Sequence, residues 1–164
     1  MRALLAASGE VSGYCSAVSD LVEFGRLVGR DAGLCVVSTL RADDTIQSSV
    51  VNAGVLQHPV SGALVVGFVA RGGTHKLVHL RARPRATVVV RAGWEWVAAE
   101  GPVDLIGPDD PMPGIDAEAR RLLLRAVFTA AGGTHDDWDT YDQVMADEHR
   151  AAVLVTPDRI YSNR

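Results

Sequence analysis

The stretch Gly72-Gly73-Thr74-His75-Lys76-Leu77-Val78-His79-Leu80 holds the residues whose types and spacing best fit a chemical role. An apolar run ends in two glycines, and a helix then opens at Thr74. The first turn of a helix leaves backbone N–H groups unpaired and carries partial positive charge. Glycine lets a ligand approach the backbone closely. Lys76 adds a full charge where an anion is already favoured, so the combination describes a phosphate site. The alternative is a solvated lysine on an ordinary helix. The tetrapeptide recurs as Gly132-Gly133-Thr134-His135, followed by Asp136 and Asp137 instead of lysine. Carboxylates at that helix start would repel phosphate, so the second copy reads as structural. Neither the Walker A pattern nor GxGxxG is present.

Other constellations read as packing. His75 and His79 stand four apart, a spacing that suits zinc, yet a third ligand and an intervening glutamate at the zincin position are missing. His75 fits the phosphate edge, and His79 packs or faces solvent. Trp94 and Trp96 alternate along a strand and so share a face. Packing on a helix or across an interface is favoured for them over stacking on a cofactor ring. Trp138, Tyr141 and Met145 form a helical stripe, for packing in the core or at an interface, with a substrate-lining role as the alternative. Arg71 either reinforces the phosphate site or is a solvated strand end. No GxSxG elbow is present, and neither Cys15 nor Cys35 stands beside a convincing base. Both read as reduced thiols, Cys35 as a small buried hydrophobe.

The elements that must position these residues follow from the apolar pattern. The chain has 164 residues, 48% of them hydrophobic, and a net charge of −4. One domain is expected. No basic field points to nucleic acid, and no apolar stretch is long enough to span a bilayer. Residues 1–17 read as a weakly ordered leader, too short in its apolar part for a secretory signal. Residues 18–164 form the domain, and a cytoplasmic location follows. A first helix starts at a Ser19 or Asp20 cap, with Leu21, Phe24, Leu27 and Val28 on one face. Strands are expected at Leu34–Leu40, Ile46–Leu56, Ala63–Ala70, Ala86–Arg91 and Trp94–Ile106, the last bent near Gly101-Pro102. A short helix, Thr74–Arg81, lies between the third and fourth strands. A proline-rich loop precedes a helix at Asp116–Ala131, whose apolar face is Ala119, Leu122, Leu123, Ala126 and Val127. A last helix runs from Thr134 to about His149. Strands at Ala151–Thr156 and Arg159–Ser162 close the chain. Strands do not alternate regularly with long helices, which disfavours a doubly wound sheet. The fold class is α+β, mainly β: a small antiparallel barrel of meander or Greek-key type with flanking helices, whose closure removes exposed edges.

Thr74-His75-Lys76 with Leu80, followed by Arg83-Pro84-Arg85-Ala86 and an apolar strand, resembles the pyridoxamine-phosphate-oxidase-like superfamily of split β-barrels over about residues 20–164. Further details resemble an actinobacterial branch that uses the deazaflavin coenzyme F420. They are Gly33-Leu34-Cys35-Val36-Val37-Ser38-Thr39, Trp94-Glu95-Trp96 leading to Glu100-Gly101, Trp138 with Tyr141, and Ile160-Tyr161-Ser162-Asn163. The resemblance implies a homodimer with two cofactor sites at its interface. It implies that Thr74, His75 and Lys76 hold the cofactor phosphate. It also places Ser48, Ser49 and Val50 along the ring and its chain, with Asn52 as a polar contact nearby. The FMN oxidases of the superfamily carry a phosphate-binding arginine on the second strand. Here Gln47 to Asn52 contains no basic residue, which fits F420 better than FMN, the alternative cofactor. The implied activity is hydride transfer from a reduced deazaflavin to an unsaturated small molecule. An FMN oxidase or reductase, a haem-binding relative and a non-catalytic cofactor carrier are the rivals.

Overall fold

A computed structural model describes residues 20–163. The expected leader, the Ser19 cap and Cys15 therefore lie outside the described residues. Helix α1 spans residues 20–28. Strands β1 (Leu34–Leu40), β2 (Ile46–Gln57) and β3 (Leu64–Ala70) follow, then α2 (His75–Ala82), β4 (Arg85–Ala92) and β5 (Glu95–Ile106). Helices α3 (Ala117–Ala130) and α4 (Trp138–Asp147) precede β6 (Ala151–Val155) and β7 (Arg159–Ser162).

All pairings are antiparallel, in the order β4-β1-β2-β3-β6-β5-β7, and a β4–β5 pairing closes six strands into a barrel. The first three strands form a meander, and the chain then crosses through α2 to place β4 beside β1. The bend expected in β5 is a change of partner. Its first part, through Pro102, pairs with β4, with Val97–Glu100 also pairing β7, and Val103–Ile106 pairs with β6. Proline cannot donate to a ladder, so it suits the point where one ladder gives way to the next. Gly101 sits in the same bend, where an added Cβ would lie 2.0 Å from the Thr156 carbonyl oxygen.

Two cores explain the strand compositions. Inside the barrel, Cys35, Val37, Phe68, Val88, Val97 and Val153 meet Leu21, Phe24, Leu27 and Val28 of α1 and Leu77 and Leu80 of α2. Outside it, Val65, Ile106, Ala152 and Leu154 meet Leu123, Leu124 and Val127 of α3. Strand β6 is covered on both sides, which is why all five of its residues are apolar and buried. Cys35 is the small buried hydrophobe expected, and burial pushes its thiol up to about 12.

Three expectations differ from the structure. The face of α3 is rotated: Leu124 is buried and Leu122 exposed. Both residues fit a helical stripe through Leu123 and Val127, and contact with β2 and β3 selects Leu124. Helix α4 begins at Trp138, not Thr134, because Asp137 caps it by accepting the Thr140 N–H at 3.0 Å. Trp94 precedes β5 and lies 92% exposed at the β4–β5 turn, so it does not share a strand face with Trp96, which packs on Tyr161. Among the described residues, no helix is long and apolar enough to cross a membrane.

Candidate functional site

Lys76 is the one lysine in the sequence. It lies in the first turn of α2, half-buried beside the fully buried Leu77. No carboxylate or other partner meets its ammonium among the described residues, and burial holds its pKa below the ordinary lysine value. Every described arginine around α2 is engaged instead. Arg71 faces Glu148 at 3.8 Å, Arg81 makes a two-pronged pair with Asp110, and Arg83 bonds Asp44 and the Arg41 carbonyl.

The cap of α2 leaves its donors open. Thr74 has extended backbone angles and makes no side-chain cap; its hydroxyl donates to the Arg71 carbonyl at 2.9 Å. Among the described residues, the N–H groups of Gly73, Thr74, His75 and Lys76 meet no acceptor. The first turn holds no acidic side chain. This arrangement suits an anion: a row of free donors, the positive end of a helix and one uncommitted ammonium. The two glycines have separate reasons. Gly73 adopts φ +73° with nothing within 4 Å of a built Cβ. Gly72 is pressed against the end of α4, where a Cβ would lie 2.7 Å from His149 Cβ. Gly72 thus serves packing, not ligand approach.

The second tetrapeptide is structural in a different way from the one expected. It opens no helix. Gly133 lies against the Phe128 ring, and His135 accepts the Asp137 N–H through Nδ1 at 3.1 Å. His135, Phe128, Trp138 and Tyr141 form one aromatic cluster. His79 is also a packing residue, its Nδ1 3.1 Å from the Thr39 hydroxyl. Among the described residues, no group of three His, Cys, Asp or Glu side chains could hold a metal ion.

The β2 candidates stand on their own strand, and no hydrogen bond joins them to α2. Ser48, Val50 and Asn52 face outward, whereas Ser49 points to the barrel side and is half-buried. Ser48 Oγ lies 2.8 Å from Ser38 Oγ, and Asn52 Nδ2 donates to the Ala32 carbonyl at 2.8 Å. Register sets Leu34 beside Asn52, Val36 beside Val50 and Leu40 beside Ile46. Val50 is 63% exposed and Val36 41%, so this wall of the barrel is apolar and open. Asn52 also borders a cavity of about 200 Å³ with Phe128, Tyr141, Met145 and Arg150. Burial pushes the Tyr141 hydroxyl up to about 12, and it donates to the Leu124 carbonyl. Phe128 and Arg150 carried no sequence signal, because only the docking of α3 and α4 brings them to Asn52. The arginines of the Arg83-Pro84-Arg85 motif are structural: Arg85 pairs with Asp158 through both terminal nitrogens.

No protein-family model matches the chain. Solved structures do. The conserved hypothetical protein Rv2991 from Mycobacterium tuberculosis superposes with a TM-score of 0.61 at 18% identity, covering 98% of this chain and 87% of that one. A pyridoxamine 5'-phosphate oxidase-related, FMN-binding protein from Nostoc punctiforme gives 0.58 at 13%, covering 90% and 81%. The chain has the split-barrel fold. A split barrel called F420 reductase is similar as well, with a TM-score of 0.54 at 15% identity over 80% of this chain and 91% of that one. In this split barrel the candidate phosphate residues sit at the start of α2, and of the candidate ring residues Ser48, Val50 and Asn52 occupy the open wall of β2 while Ser49 lies on its other face.

Proposed function

We propose that this split barrel is a cytoplasmic, homodimeric oxidoreductase that uses coenzyme F420 to reduce an unsaturated small molecule. The observation that carries the reading is Lys76, a half-buried ammonium without a partner at a helix start whose N–H groups are open. A phosphate diester fits that donor set. Gln47 to Asn52 offers no cation, which favours F420 over FMN. The likeness to an F420 reductase agrees with this assignment.

When bound, the deazaflavin supplies a two-electron hydride donor. The chain's part is to bind and orient. Lys76 pairs with phosphate charge, the N–H groups of His75 and Lys76 donate to its oxygens, and the outward faces of Ser48, Val50 and Asn52 line the ring side. Ser49 stands on the opposite face of β2, so any contact it makes comes through its backbone.

Fluorescence titration tests the cofactor. Coenzyme F420 is expected to bind at micromolar concentration or below and FMN at least tenfold more weakly; the reverse order moves the protein to the FMN reading. The dimer is tested separately. The apolar wall of Val36, Val50, Leu34 and Ile46 is the surface a second copy covers. The wild-type chain should run in light scattering at twice 17.4 kDa, and Val36→Glu at the single-chain mass. A monomeric wild-type protein removes the homodimer from the proposal.

A further inference from the structure

Between α3 and α4 lies a cavity of about 560 Å³, apart from the residues of the candidate site. Its size falls within the roughly 300–1,000 Å³ common for small-ligand sites. Leu124 and Met145 form an apolar floor, and Pro108 and Ala146 border it.

The charges around it are mostly spoken for. Asp142 accepts from Arg121 at 2.6 Å and from Arg125 Nε at 2.9 Å. Arg150 is held by Glu148 at 2.7 Å, and His149 faces Asp109 at 3.6 Å. Asp139 stands exposed in the first turn of α4, at the positive end of the helix dipole that Asp137 caps. Arg120 differs: the residue is half-buried and lines the cavity, and its guanidinium has no ion-pair or hydrogen-bond partner among the described residues. An apolar floor with one uncommitted cation selects an apolar molecule that ends in a single negative charge.

We infer that the α3–α4 cavity binds an apolar carboxylate, with Arg120 holding the carboxylate and Leu124 and Met145 holding the hydrocarbon part. The cavity shares Met145 and Arg150 with the smaller one beside Asn52, so the two stand back to back.

The probe is 8-anilinonaphthalene-1-sulfonate, titrated by fluorescence into the full chain without cofactor. The outcome therefore does not depend on the F420 reading. Saturation at one probe per chain is expected. Octanoate should displace the probe, and octan-1-ol at the same concentration should not. Arg120→Gln should weaken probe and octanoate by about tenfold, the size expected for losing one charge-assisted contact. Ala146→Phe, at an exposed helix position, should abolish binding by filling the space while far-ultraviolet circular dichroism stays unchanged. Absence of saturable binding, equal displacement by the alcohol, or unchanged affinity in either variant would overturn the inference.

Discussion

Lys76→Ala is expected to weaken binding of coenzyme F420 by about 10- to 100-fold while the fold persists. One charge-assisted hydrogen bond is worth about 1.5–3 kcal/mol, which converts to that range. The fold survives because the ammonium has no acidic partner for the substitution to orphan. Alanine is also the best helix former for the first turn of α2. The pH dependence gives a second check. The native amine titrates below its unfolded value of 10.5 because burial penalises its charge. Between those two values the unfolded chain binds more protons, so the wild-type protein gains stability as pH rises through that window. Below it, the partly desolvated charge is a constant cost that Lys76→Ala removes. Thermal melts of both proteins from pH 7 to 11 should therefore show the variant ahead at neutral pH and the gap closing as pH nears 10.5. Unchanged F420 affinity in the variant would remove Lys76 from the site.

Gly54→Ala should cost at least about 3 kcal/mol, a large share of the roughly 5–15 kcal/mol that stabilises a domain. The backbone of β2 at Gly54 lies under the end of α3. A Cβ there would stand 2.1 Å from the Ala130 carbonyl oxygen and 2.2 Å from its carbon. Both are backbone atoms, so relief requires α3 to lift, and Leu123, Leu124 and Val127 would lose part of their burial against the sheet. Where space allows, the same substitution commonly stabilises by about 0.4–1 kcal/mol through the unfolded chain. Gly62→Ala is the comparison. Its φ is +72° with nothing within 4 Å of a Cβ, so only the left-handed conformation is penalised, at about 1 kcal/mol. Urea midpoints for the two variants rank the effects. Equal losses would mean that α3 does not approach β2 so closely.

The strands were legible because apolar, β-branched runs between glycine and proline breaks leave few alternatives. All seven appear within a residue or two of their expected ends. Neighbours joined by short turns were legible as an antiparallel meander, but the pairing of β4 with β1 and the split of β5 between ladders were not, since both depend on contacts far apart in sequence. Leu122 and Leu124 fit the same helical period, and only the docked sheet separates them. Asp137 displaced Thr134 as the cap of α4 because its carboxylate reaches the Thr140 N–H and hydroxyl together. At the candidate site, glycines, a helix start and a lysine were readable one by one. That Lys76 lacks a partner while the neighbouring arginines are all paired required the fold, as did the surroundings of Asn52.

The change of partner in β5 bears on how the molecule opens. Its first part carries β4 on one side and β7 on the other, and its second part carries β6. Neither portion of the barrel can fray inward without tearing a ladder that belongs to the rest. The amide protons of Val97–Ala99 and Val103–Leu105 should then exchange with solvent only when the whole domain unfolds, as one cooperative unit and not as two.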